Sequence, residues 1–107
     1  MKWQNAIRDF QLFLKIERGL SQNTIDSYSR DLEKLLIYLE NHKVIYSPIT
    51  IDEDTVQNFI YDIAKKVNPR SQARIISGLR SFFDYLIFED YRKTNPTDLI
   101  EAPKIGR

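Results

Sequence analysis

Cysteine is absent from the 107 residues, which excludes disulfide staples, a thiolate nucleophile and any Cys-based zinc site. Histidine occurs once, as His42, so no imidazole pair is available for metal or acid–base chemistry. The three glycines, Gly19, Gly78 and Gly106, stand far apart and make neither a phosphate-cradling loop nor a nucleotide fingerprint. No apolar run approaches the roughly 20 residues that cross a bilayer. The start, Met1-Lys2-Trp3-Gln4-Asn5, leads straight into an amphipathic pattern, unlike a secretory signal. These absences predict a soluble cytoplasmic domain with no membrane partner. The length suits one compact domain with its own core.

What the chain has is charge, unevenly spread. Sixteen Lys and Arg nearly balance fifteen Asp and Glu. Residues 51–62 nevertheless hold four acids and no base, whereas five bases and no acid lie between Lys65 and Arg80 (Lys65, Lys66, Arg70, Arg74, Arg80). A local positive field of that kind guides a polyanion even when the whole chain is close to neutral. The competing reading is an ordinary solvated face.

Apolar periodicity predicts four helices and no sheet. Trp3, Ile7, Phe10 and Leu14 recur at helical steps over Trp3–Glu17, with Phe13 widening the stripe. Gly19 ends that helix in a left-handed conformation. Ser21 caps a second helix running to about Glu40 on Ile25, Tyr28, Leu32, Leu35, Leu36 and Leu39. Leu20 and Ile25 are spaced as a hydrophobic staple, and Leu20 also lies within reach of Leu14. Val44–Ile51 contains Pro48 and reads as an extended connection. A third helix starts at Thr50 or Asp52, buries Val56, Phe59, Ile60 and Ile63, and ends near Val67. Asn68-Pro69 opens a fourth, long helix to about Phe88, with Ala73, Ile76, Leu79, Phe83 and Leu86 inward. Gly78 in its middle costs about 1 kcal/mol relative to Ala and marks close approach of a partner helix or of some other backbone. Asn95-Pro96 starts a short helical turn through Ile100. Residues 1–100 thus form the domain, and 101–107 read as the beginning of a linker to a further domain.

No catalytic constellation emerges. His42 falls at the exposed end of the second helix. Asp52, Glu53 and Asp54 suit the positive end of the third helix's dipole better than a metal, so neither metal nor cofactor is expected. A helical projection sets Arg70, Arg74, Ser77 and Ser81 on one side of the fourth helix, opposite its apolar stripe, with Gln72 near the edge of the same surface. Arg grips phosphate or the guanine edge, Gln the adenine edge, and small Ser side chains permit close approach in a major groove. Ser21, Gln22, Asn23, Thr24 and Ser27 offer a second surface at a helix start, where free amides hold phosphate. From composition and spacing alone, duplex DNA and a protein partner both stay open.

The run Gly19-Leu20-Ser21-Gln22-Asn23-Thr24-Ile25-Asp26-Ser27-Tyr28-Ser29-Arg30-Asp31-Leu32 resembles the start of the core-binding domain of Xer-type tyrosine recombinases, also called the phage-integrase SAM-like domain. The family pattern is Leu-Ser, two residues, Thr, three residues, Tyr, two residues, Asp-Leu. It falls without a gap on Leu20, Ser21, Thr24, Tyr28, Asp31 and Leu32. Ser71 and the run Arg74 to Phe83 resemble the family's second signature, with Ile76 and Gly78 where Leu and Ala are usual. Asn95-Pro96 and Pro103-Lys104 match its exit toward a catalytic domain.

The resemblance implies an all-α, four-helix SAM-like bundle with a short C-terminal helical turn and a linker start. It implies half of a clamp on duplex DNA with inverted-repeat half-sites, other recombinase protomers as partners, and a nucleoid-associated location. DNA contacts would fall at Ser21, Gln22, Asn23, Thr24 and Ser27 and at Arg70, Ser71, Arg74 and Ser77. Residues near Trp3 and Ile7 would touch a neighbouring protomer. Asp31 and Arg80 are expected to form a structural ion pair. The family's chemistry, strand cleavage through a 3′-phosphotyrosine, belongs to a separate domain, so this fragment is not expected to be an enzyme. The alternatives are a helix-turn-helix regulator and a helical protein-interaction module.

Overall fold

The computed structural model describes residues 1–101 and is all-α, with four helices and no strand among them. Most of the expected linker at 101–107, including Pro103-Lys104, lies outside the described residues. The chain divides into two compact units at Thr50/Ile51.

The first unit is a helical hairpin of α1 (Trp3–Ile16) and α2 (Gln22–Asn41). Ala6, Ile7, Phe10 and Leu14 are the buried side of α1: three residues of the predicted stripe are buried, Trp3 and Phe13 are only half-buried, and Ala6 joins them. Gly19 takes φ +61°, a conformation that costs an L-residue roughly 1–2 kcal/mol and glycine almost nothing. The turn it makes lets the Leu20 amide donate to the Leu14 carbonyl at 3.0 Å, which closes the C-terminal end of α1. Ser21 caps α2, its Oγ accepting from the Thr24 amide at 3.3 Å. The Phe10 ring stacks on Tyr28 with centroids 6.5 Å apart. Gln11 Nε2 donates to Ser29 Oγ at 2.7 Å, and Ser29 in turn donates to the Ile25 carbonyl at 2.8 Å. Beyond α2 the connection, expected to be extended over Val44–Ile51, is irregular at 44–47 and then closes a turn at 48–50, where the Thr50 amide donates to the Ser47 carbonyl at 3.2 Å. Trp3 Nε1 fastens it by donating to the Tyr46 carbonyl at 2.8 Å.

The buried side of α2 departs from the periodicity at four positions. Tyr28 and Leu36 are half-buried, whereas Ser29 and Asp31 are buried, Asp31 completely. A polar residue is buried when partners compensate its lost hydration. Ser29 has the two hydrogen bonds just given, and Asp31 has Lys34 Nζ 3.6 Å from its Oδ1. A hydropathy pattern carries no information about such partners.

The second unit comprises α3 (Glu53–Ala64), α4 (Pro69–Phe88) and the turn that follows. Of the two candidate starts for α3, Asp52 is the cap: its Oδ1 accepts from the Thr55 amide at 2.9 Å. Glu53 and Asp54 complete an acidic first turn at the positive end of the dipole. Asp52→Ala is therefore expected to cost about 1 kcal/mol, a typical loss for a cap, read as a lower urea midpoint with an unchanged slope. The helix closes at Ala64, three residues short of the predicted Val67, where the amides of Lys65, Lys66 and Val67 turn back to Asp62 and Ile63. Asn68 Oδ1 accepts from the Ser71 amide at 2.8 Å, and Pro69 occupies the first position of α4.

The buried arc of α4 is wider than the stripe read from spacing. Ile75, Phe82 and Tyr85 join Ile76, Leu79, Phe83 and Leu86, and Gly78 is buried, while Ala73 is only half-buried. Within this unit α4 is lined on one side by α3 and on another by the chain following it. Phe82 and Phe83 meet edge to face at 5.2 Å, and Arg92 lies 5.2 Å over the Phe83 ring, where burial lowers the pKa of its guanidinium.

Residues 95–100 form hydrogen-bonded turns, with Asp98 donating to the Asn95 carbonyl and Ile100 to that of Thr97. This is the short turn predicted from Asn95-Pro96. A polar lock joins it to α4. Asn95 Nδ2 donates to the Arg80 carbonyl (3.1 Å) and to Asp84 Oδ1 (2.8 Å), and Asn95 Oδ1 accepts from the Thr97 amide (2.9 Å) and hydroxyl (2.6 Å).

Candidate nucleic-acid interface

In the first unit the candidate residues lie where α2 begins. Ser21, Gln22 and Asn23 are exposed; Thr24 and Ser27 are half-buried. Several are already engaged locally. Ser21 and Thr24 share a hydroxyl–hydroxyl bond of 3.0 Å, Gln22 Nε2 donates to Asp26 Oδ1 at 2.8 Å, and Arg30 Nη2 donates to Ser27 Oγ at 3.3 Å. A hydroxyl keeps acceptor capacity after one bond, so these contacts orient the side chains without using them up. The backbone amides of the first turn point out of the helix and favour an anion.

In the second unit the candidate residues divide. Arg70, Arg74 and Ser77 are exposed and Ser81 is half-buried. At about 100° per residue they fall within a narrow arc of α4, so the structure bears out their common side. Gln72 stands elsewhere. It lies about 200° around the helix from Arg70 and lines a cleft with Gln57, Ile60, Tyr61, Leu99, Ile100 and Glu101. Ser71 is half-buried about 100° from Arg70, with its amide committed to the Asn68 cap. The surface is thus narrower than spacing suggested: two arginines and two serines.

Arg80 lies off this arc and makes contacts of its own. Its Nη2 donates to the Ile100 carbonyl at 3.0 Å and to that of Thr97 at 3.4 Å. The cation adds a second donor to the Thr97 carbonyl, which already accepts from the Ile100 amide, and supplies one to the Ile100 carbonyl, which gives Arg80 a structural role from contacts seventeen and twenty residues away in sequence. Asp84 flanks the arc, with one carboxylate oxygen taken by Asn95. Nothing resembling a catalytic cluster accompanies these residues. Among the described residues no group of three or more His, Asp or Glu side chains could hold a metal ion, and no helix is long and apolar enough to cross a membrane.

An all-α chain with a capped second helix and an Arg–Ser arc on its fourth is what the motifs of the recombinase core-binding domains describe. Comparison with known proteins agrees: residues 7–90 match the family "Phage integrase, N-terminal SAM-like domain", and the chain belongs to it. It is 37% identical over 102 residues to tyrosine recombinase XerD of Staphylococcus haemolyticus, covering 94% of this chain and 34% of that protein. It is 39% identical over 101 residues to tyrosine recombinase XerD of Listeria innocua, with 94% and 34% covered. To tyrosine recombinase XerD of Oceanobacillus iheyensis it is 41% identical over 105 residues, with 95% and 35% covered. The chain spans about a third of the length of the curated relatives it matches. It corresponds to the N-terminal, non-catalytic domain of such a protein. No solved structure matches it significantly.

Proposed function

We propose that this chain is the duplex-DNA-binding module of a site-specific tyrosine recombinase, forming one half of a clamp on inverted-repeat recombination sites. Strand cleavage and rejoining would belong to a separate catalytic domain, and further protomers would complete the assembly. The observation that carries this reading is the arc of Arg70, Arg74, Ser77 and Ser81 on α4, in a chain that belongs to the integrase family. Two arginines one turn apart match successive anionic positions along a duplex, and the small serines between them keep the approach open. The start of α2 supplies Ser21, Asn23 and outward amides as a second set of donors for phosphate.

The test is fluorescence anisotropy with a short labelled duplex at roughly 50 and 200 mM salt. Binding is expected to weaken as salt rises, because each neutralised phosphate releases counterion with a log–log slope of about 0.9. Arg70→Ala and Arg74→Ala are each expected to weaken it several-fold further and to flatten the slope by about one unit, compared at a temperature where both variants are folded. Wild-type affinity in both folded variants would place DNA on some other surface.

A further inference from the structure

Apart from these surfaces, the first unit has a cleft of about 210 Å3 lined by Arg8, Gln11, Leu12 and Lys15 of α1 and by Gln22 and Ile25 of α2. Arg8, Gln11 and Lys15 follow one another at steps of three and four residues, so they share one side of the helix. No carboxylate lines the cleft. Arg8 and Lys15 are exposed, and neither side chain makes an ion pair or hydrogen bond among the described residues. The acid nearest Arg8 in sequence is Asp9, and adjacent side chains on a helix diverge. Lys15 also suits the negative end of the α1 dipole, but that does not account for Arg8 in mid-helix. The amides between them are already held: Gln11 by Ser29 at 2.7 Å and Gln22 by Asp26 at 2.8 Å.

We propose that this cleft seats the phosphate backbone of duplex DNA, extending the contact surface of the first unit from the start of α2 onto α1, with Arg8 and Lys15 as phosphate ligands. The inference rests on the DNA-binding reading above and adds two residues to it. Seven residues of helix separate the two cations by about 10 Å along the axis. A duplex carries about one negative charge per 1.7 Å of its axis, so cations at that spacing meet two phosphates.

The experiment measures duplex affinity across a salt series for the wild type, Arg8→Gln, Lys15→Gln, the double variant and Arg74→Ala, with Lys93→Gln as a charge control. Each cleft substitution is expected to lower the log–log salt slope by about 0.9 and affinity several-fold, with the melting temperature unchanged because neither side chain has a partner to lose. Lys93→Gln should keep the wild-type slope. A double variant with wild-type slope and affinity, beside a weakened Arg74→Ala, would remove the seat and leave α4 on DNA. An equal fall in Lys93→Gln would reduce the effect to bulk charge and overturn the seat as well. Absence of salt-dependent binding in the wild type would overturn the DNA reading itself, and the seat with it.

Discussion

Asn95→Ala is expected to lower the melting temperature by ten degrees or so. The Asn95 side chain is 2% exposed and serves four partners, two on α4 and two within the turn. Removing it leaves the amide and hydroxyl of the fully buried Thr97 without the acceptor that now holds both. An unsatisfied buried polar group costs about 1–3 kcal/mol, so a loss of about 2–4 kcal/mol follows. For a domain of about 100 residues, each kcal/mol shifts the melting temperature by roughly 4–8 °C. Asn95→Asp should not rescue it, because a second carboxylate would face Asp84 in place of the amide donor. Thermal unfolding followed by circular dichroism reads both variants; a shift under about 2 °C for Asn95→Ala would mean that the turn is not fastened through this residue.

The second large effect concerns Arg80, whose removal should cost stability rather than duplex affinity. Arg80→Ala removes a cation from the carbonyls of Thr97 and Ile100. Hydrogen bonds to charged groups contribute about 1.5–3 kcal/mol, and the half-buried position of Arg80 argues for the lower end of that range. The expected outcome is a melting temperature several degrees lower, with duplex affinity within about twofold of the wild type where both proteins are folded. Equal melting temperatures would sink the structural assignment. The proposed pairing of Arg80 with Asp31 is tested separately by a double-mutant cycle with Asp31→Asn. A coupling above about 0.5 kcal/mol supports the pair, whereas additivity assigns the effect of Arg80 to the two carbonyls alone.

Both residues fasten α4 to a turn distant in sequence, and the same distinction separates what could be read without coordinates from what could not. Ser21, Asn68-Pro69 and Gly19 were legible because a cap or a left-handed turn is decided within four or five residues. The choice between Thr50 and Asp52 needed only one local fact, namely which oxygen meets the Thr55 amide, but sequence offered two acceptors for it. The Arg70–Arg74–Ser77–Ser81 arc was legible because helical geometry alone sets which side chains share a side. The same geometry turns Gln72 away from that arc, and the structure places it in a cleft with Gln57 and Tyr61.

Sequence by itself therefore determined the four helices, most of their caps, the buried stripe of α3 and most of that of α1, the Arg–Ser arc and, through its motifs, the family. Each of these rests on interactions within a turn or two of helix or on side-chain type at fixed spacing. Tertiary structure alone decided that Ser29 and Asp31 are buried, that Arg80 serves the carbonyls after Asn95, and that Arg8 and Lys15 line a cleft without a counter-charge. Those outcomes depend on which distant polar group supplies the compensating bond, or fails to. Periodicity records where a side chain points along its own helix but not what waits there.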